Sequence, residues 1–263
     1  TEEGGFSKLN PFIVALGFLE RWGYKVSDLI VGTMPNLEAH VSSVCKNETS
    51  KVICVPIGIP DDVSNPFFSA GVLRPKLREN KFIIGYVGTI GKTNALDTLF
   101  HALKRIDLVK ENIECHLVGG GPLLEYYSEK YSHITNLSFI GHVEKESVAE
   151  IISSFDVVYF STFQSAVWEY GQSLNKIIDY MLAGKPILGS YSGYPSMVNE
   201  ANCGWFIPAE DSITLSAKIV ALSVYDKEAL AIIGRKGVTW IQNNRKYSSL
   251  ASQFLDHIKE VVD

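Results

Sequence analysis

Apolar residues along this chain gather in short continuous runs, and the stretches between them carry apolar positions at helical spacing. The runs are Phe82–Gly88, Cys115–Gly119, Leu137–Gly141, Val157–Phe160, Pro186–Gly189 and Gly204–Pro208. They are continuous rather than strictly alternating, as in strands covered on both faces. Between them Leu96, Leu99, Phe100 and Leu103 recur at helical steps, as do Val148, Ile151 and Ile152, and later Ile177, Ile178 and Met181. Strand and helix in repeated alternation predict an α/β fold with a doubly wound, parallel, Rossmann-like sheet. Glycines stand where the predicted strands end, the edge at which such sheets bind ligands.

Residues 1–60 have a sparser pattern. Helices are predicted over Pro11–Lys25 and Pro35–Val44, and short strands over Leu29–Gly32 and Val52–Pro56. A segment with two short strands buries too little to stand as an α/β domain by itself. It is expected to be a partial second α/β domain, the tail of one whose beginning is missing. Gly58, Pro60, Asp61, Asp62, Asn65, Pro66, Gly71 and Pro75 punctuate the next stretch of chain, which reads as a connection with the domain boundary inside it.

Of the 263 residues, 46% are hydrophobic and 20% charged, which excludes a disordered tail, a collagen-like fibre and a coiled coil. Lys and Arg number 24 against 29 Asp and Glu, a net charge of -5, so no basic field gathers nucleic acid and none is expected as a partner. Cys45, Cys54, Cys115 and Cys203 are too scattered for a disulfide scaffold or a metal site. Cys54 and Cys115 lie inside apolar runs and are expected to be buried thiols. No run is long and apolar enough to predict a transmembrane helix. The opening Thr1-Glu2-Glu3-Gly4-Gly5 is unlike a signal peptide. The expected compartment is cytoplasmic and reducing, and Thr1 suggests a fragment.

Three segments could carry chemistry. Gly85-Tyr86-Val87-Gly88-Thr89-Ile90-Gly91-Lys92-Thr93-Asn94 runs from a strand through glycines toward a helix, where exposed amides can hold a phosphate. It is neither a P-loop nor Gly-x-Gly-x-x-Gly, and a tight packing turn is the plainer alternative. Gly119-Gly120-Gly121-Pro122 is a second glycine turn, with more glycine than one turn requires, and Pro122 suits the first turn of a following helix. In Trp168–Pro186, Ser173 or Asn175 could cap a helix ending near Ala183 with Gly184 beyond it. Lys176 then falls in the first turn, where a cation opposes the helix dipole and a bound anion would relieve it. Asp179, three residues on, could simply pair with Lys176.

These segments resemble a known family. Residues 80–263 are similar to the C-terminal, donor-binding domain of a GT-B glycosyltransferase of the retaining group 1 (family 4) type. Val55-Pro56-Ile57-Gly58-Ile59 resembles its "VIPNGI" domain junction, Tyr86–Lys92 its "VGRL" loop, and Leu117–Leu123 its "IVGxGPL". Phe139–Val143 resembles "FxGxV", Ser154–Val157 "xADV", and Asp179–Pro186 "EAMAxGxPV". Six weak motifs in order are far more specific than any one. The chain departs from the majority pattern in that Thr89 stands at the usual phosphate-binding Arg and Asn94 at the usual Lys. The first of two acids expected eight positions apart falls on Gly171, with Glu169 the nearest acid. Ser173–Met181 resembles instead an "SPNKLFDYM" subgroup that includes L-fucosamine-type amino-sugar transferases of bacterial surface-polysaccharide assembly, in which Lys176 replaces the missing cationic pair.

The resemblance implies transfer of a sugar, an amino sugar, from a UDP-sugar to a glycan or lipid-linked acceptor with retention, in polysaccharide biosynthesis. The donor is a substrate, and neither cofactor nor metal is implied. Glu169 and Lys176 are the implied catalytic residues, Glu169 holding sugar hydroxyls. The donor would meet Gly88, Thr89, Gly91, Lys92, Gly120, Ser173, Asn175 and Lys176, with His142 and Val143 at the base and Asp179 at the ribose. Residues 81–249 are then the donor domain, 1–60 the acceptor-side remnant, 61–80 the linker, and 250–263 a helix packing back on the remnant. The implied location is cytoplasmic, at the inner face of a membrane, with peripheral membrane contact through the N-terminal domain. Apolar residues between 10 and 30 are expected to promote self-association, and the truncated chain is expected to bind donor without transferring it. The alternatives are a sugar-nucleotide epimerase or a non-catalytic nucleotide-binding module. A dinucleotide oxidoreductase is disfavoured by the missing Gly-x-Gly-x-x-Gly and ribose acid.

Overall fold

The computed structural model describes residues 7, 9–45, 51–62 and 81–262. The stretch between Asn65 and Pro75, part of the expected linker, lies outside the described residues. The N-terminal unit opens with helix α1 (Pro11–Val26), whose Asn10 cap accepts the Phe12 N–H at 2.9 Å. Strand β1 (Leu29–Gly32), helix α2 (Leu37–Val44) and strand β2 (Lys51–Cys54) come next, and the two strands pair in parallel as a sheet of their own.

The main body alternates strand and helix. In chain order it holds β3 (Phe82–Val87), α3 (Asp97–Leu103), β4 (Ile113–Val118), α4 (Leu124–Lys130), β5 (Leu137–Gly141) and α5 (Lys145–Ser153). Next come β6 (Val157–Ser161), α6 (Asn175–Leu182), β7 (Ile187–Ser190), α7 (Met197–Ala201) and β8 (Gly204–Ile207). Helices α8 (Ser212–Ser223), α9 (Lys227–Asn244) and α10 (Tyr247–Val262) close the chain. The six strands lie in the order β5-β4-β3-β6-β7-β8, all parallel, so this is a doubly wound sheet as the sequence pattern predicts. The chain winds outward from β3 through β4 to β5, then returns to β6 and winds the other way. The loops after β3 and β6 therefore part at the switch point, where such sheets open a crevice.

Helices cover both faces of the sheet. One face buries Leu99, Phe100 and Leu103 of α3 with Leu215, Ile219 and Leu222 of α8. The other buries Ile152 of α5, Ile177 and Met181 of α6, Val198 of α7 and Ile241 of α9. Every residue of β3, β6 and β7 is buried in consequence, which explains their continuous apolar runs.

The N-terminal unit is tied to the body at two places. Residues after β2 run beside the α9–α10 junction: the Ile59 N–H donates to the Arg245 carbonyl at 2.7 Å, and the Tyr247 N–H to the Ile59 carbonyl at 2.9 Å. Helix α10 then returns toward β2, where Lys51 pairs with Glu260. Elsewhere Asn36 meets the turn before α6. One expectation fails here: Cys54 is exposed, because β2 ends a two-stranded sheet with one open face, whereas Cys115 in β4 is buried.

Candidate functional site

Three loops meet at the carboxyl edge of β3, β4 and β5. The Gly88 N–H donates to Val118 O at 3.0 Å, Ile90 N–H to Gly120 O at 2.8 Å, and Gly119 N–H to Gly141 O at 2.7 Å. Gly119 and Gly121 adopt φ of 136° and 149°, and a Cβ on either would strike the backbone of Gly88 or Ile90. Packing of one loop on the next thus accounts for two of the three consecutive glycines. Gly120 has ordinary φ and space before it, with His142 Cβ 3.9 Å from where its own Cβ would lie. It is the glycine of the three left open to a ligand. Thr89, Lys92 and His142 are exposed at this edge, Gly91 is buried, and Gly88 and Val143 are half-buried.

No helix starts directly at these glycines, contrary to the sequence expectation. A 3-10 turn, Lys92–Asn94, intervenes and Ala95 takes a left-handed conformation, so α3 begins only at Asp97. Pro122 likewise precedes α4, which begins at Leu124 with Leu123 as its cap residue. The helix start that faces this edge is that of α6.

Helix α6 begins at Asn175 with Leu174 as its N-cap, and among the described residues no side chain caps its first amides. Neither Ser173 nor Asn175 caps it: Ser173 stands before the cap position and Asn175 is already helical. The free N–H groups and the dipole leave an electropositive end. Its C-terminus agrees with expectation, with Ala183 as cap and Gly184 at φ 63°. Ile177, Ile178 and Met181 seat the helix on the sheet, and the Tyr180 hydroxyl locks it to β3 by accepting the Val87 N–H at 2.9 Å and donating to Val87 O at 3.0 Å.

Lys176 crosses from this helix to the first glycine loop. Its ammonium donates to Asn94 Oδ1 at 2.6 Å and to the Tyr86 hydroxyl at 3.2 Å, and lies 4.8 Å from the Tyr86 ring centroid. The Tyr86 hydroxyl in turn donates to Thr89 O at 2.7 Å, and Asn94 Nδ2 donates to the same carbonyl at 2.9 Å. A Cβ built on Gly88 would stand 3.3 Å from Nζ, so the ammonium lies beside the loop. Burial pushes the Lys176 pKa down to about 8. The plainer alternative, a Lys176–Asp179 pair, does not form, and among the described residues Lys176 has no carboxylate partner. An ammonium has three N–H donors and two are used here, which leaves one for an anion.

Asp179 presents an exposed side chain, yet desolvation by the surrounding protein raises its carboxyl pKa, with Lys145 acting in the opposite direction. Glu169 sits on a 3-10 turn, Ala166–Tyr170, with its side chain exposed. That turn docks on the N-terminal unit: Asn36 Nδ2 donates to Glu169 O and the Asn36 N–H to Tyr170 O, both at 3.0 Å. Gly171, at φ 99°, abuts Pro35. The acid is thus carried at the junction of the two units, a placement no local sequence signal reveals. A small cavity of about 30 Å³ lies in the same junction, lined in part by Thr33, Pro35, Cys54, Gln172 and Arg245. The buried Gln172 amide finds no hydrogen-bond partner among the described residues.

A family model for glycosyl transferases group 1 matches residues 81–223, more than half of the chain. The chain belongs to that family. No curated protein matches this group 1 chain by sequence. Among solved structures, the sucrose-phosphate synthase of Thermosynechococcus elongatus shares its fold at a TM-score of 0.74 and 19% identity, covering 100% of this chain and 64% of that one. HepE of Anabaena, in complex with UDP, gives 0.73 at 17% identity, over 98% of this chain and 69% of that one. WaaG, a glycosyltransferase involved in lipopolysaccharide biosynthesis, gives 0.69 at 16%, over 95% and 68%. The chain therefore spans less than two thirds of the synthase's length. These likenesses establish the GT-B fold for this group 1 member. Among the described residues no cluster of His, Cys, Asp and Glu could hold a metal, and no helix is long and apolar enough to cross a membrane.

Proposed function

We propose that this chain carries the donor site of a retaining glycosyltransferase that moves a sugar, an amino sugar, from a UDP-sugar to a glycan or lipid-linked acceptor in polysaccharide biosynthesis. The observation that carries the reading is the Lys176 ammonium, held beside Gly88 with one N–H free and, among the described residues, no carboxylate near enough to neutralise it. A partly buried, uncompensated cation at the positive end of α6 is costly in the empty protein and suits a diphosphate. The structural likeness to HepE, which binds UDP, and to the lipopolysaccharide enzyme WaaG supports the donor and acceptor classes.

In this reading the bond from the anomeric carbon to the diphosphate oxygen breaks, and negative charge grows on the departing UDP. Lys176, the amides of Ser173–Lys176 and those of the Gly88–Lys92 loop stabilise that charge without reorganising. Gly120 lies against the donor, His142 and Val143 offer backbone to the base, and Asp179 accepts from ribose hydroxyls. Glu169 holds sugar hydroxyls at the junction of the units. The proposed domain division is the one expected from sequence, with 81–249 as donor domain. Association with the inner face of a membrane, and of one copy with another through residues 10–30, belongs to the same proposal.

Calorimetry of UDP binding tests it. Lys176→Ala is expected to weaken UDP by about 1–3 kcal/mol, the weight of one charge-assisted bond. Unchanged affinity in a folded variant would remove Lys176 from the site.

A further inference from the structure

We infer that Asn94 is a positioning residue for the donor diphosphate: it holds the Lys176 ammonium beside the Gly88 loop through a neutral acceptor, leaving the whole positive charge for the ligand. This deepens the donor-site reading and rests on it. Three observations carry it. The Asn94 Oδ1–Lys176 Nζ bond is 2.6 Å, shorter than the 3.2 Å bond from the same nitrogen to Tyr86. Asn94 is itself fixed in side chain and main chain, since its Nδ2 donates to Thr89 O at 2.9 Å and its main-chain carbonyl accepts from Ser161 Oγ at 2.7 Å. It thereby joins the loop after β3 to the end of β6, the two strands that flank the switch point, and to the first turn of α6. Finally, the acceptor is an amide. A carboxylate at the same place would hold the ammonium more firmly but would cancel its charge before a diphosphate arrived.

The chemistry separates positioning from simple packing. Asn94→Asp and Asn94→Ala both lose the Nδ2 bond to Thr89 O, so a merely structural role lowers affinity whether or not Lys176 is present. A role in presenting charge makes the loss depend on Lys176 and puts Asp below Ala. A side-chain cation moved from position 176 to position 94 would also start from the other end of the same hydrogen bond and reach the same space.

The test measures UDP and inorganic diphosphate affinity in the full chain by calorimetry, with circular dichroism and melting to confirm folding. Asn94→Ala is expected to weaken UDP about five- to tenfold, the weight of one hydrogen bond. Asn94→Asp is expected to weaken it further than Ala does, for UDP and inorganic diphosphate alike. In a Lys176→Met background, Asn94→Ala is expected to add nothing, since its effect runs through Lys176. Asn94→Lys combined with Lys176→Met is expected to regain most of the affinity lost by Lys176→Met alone. If Lys176→Met weakens UDP while Asn94→Asp binds like the wild type, the inference is overturned and the donor-site reading stands. If the wild type binds neither UDP nor diphosphate, both fall. Should Asn94→Ala unfold, the Asp variant and the relocated lysine still decide.

Discussion

Helices α6 and α1 make an instructive pair. The first has eight residues and buries four of them, Ile177, Ile178, Tyr180 and Met181. The second has sixteen, with the same share of apolar residues, and buries none: Phe12, Phe18, Leu19 and Trp22 are each more than 60% exposed. Apolar content therefore says little about what a helix contributes; a facing surface decides it. Helix α6 has the sheet on one side and the glycine loops at its end, so even its polar atoms are placed, Tyr180 on Val87 and Lys176 on Asn94. Helix α1 has an open apolar flank of the kind that marks a docking surface.

Four measurements break or sharpen this contrast. Met181→Ala removes a fully buried side chain beneath α6 and is expected to cost about 2–5 kcal/mol in urea unfolding. A loss near zero would mean the helix is not seated as described. UDP affinity is expected to fall with rising pH, by about tenfold per unit once pH passes the Lys176 pKa of about 8. Burial lowers the pKa and so sets the sign: the ammonium is charged below pH 8, and above it binding must first restore the proton. The groups facing it are Asn94 and the Tyr86 hydroxyl, and burial raises the Tyr86 pKa, so neither adds a charge in that range. Calorimetry from pH 7 to 9.5 measures the slope, and an equal slope in Lys176→Met would assign it elsewhere. Asp179→Asn is expected to weaken UDP by about 1 kcal/mol and leave inorganic diphosphate unaffected; equal losses would make Asp179 a support of the helix alone. The smallest effect is expected on α1, where Trp22→Ser should change unfolding stability by no more than about 0.5 kcal/mol, while sedimentation shows whether that face joins two copies.

The six strands of the body could be read from sequence: burial on both faces writes the continuous apolar runs of β3, β6 and β7, while the edge strand β5 falls where its run does although its residues alternate between half-buried and exposed. The placement of Lys176 in the first turn was legible too, since either candidate cap, Ser173 or Asn175, puts it there. The start was harder. Ser173 and Asn175 both have capping chemistry, but the backbone turns at Leu174, and side-chain propensity does not reveal that. Asn94 and Tyr86 were illegible as partners of Lys176, lying 82 and 90 residues away in sequence. The three consecutive glycines misled in part, because two serve the neighbouring loop and one faces outward. Nothing local announces that the turn bearing Glu169 leans on Asn36.

The double crossing between the units constrains how they move. The chain passes from the N-terminal unit to the body near Ile59 and comes back near Lys246, and the two passages run parallel, bridged to each other. A body joined to another by one strand can swivel about it freely. Two strands laced side by side act as a door hinge with two knuckles: they resist sliding and twisting, and the softest motion left is rotation about the line through them. The turn bearing Glu169 rides at the free edge of that door, against Asn36 and Pro35. A few degrees at the hinge would alter the gap there most, while Lys176, anchored wholly within the body, would not shift at all.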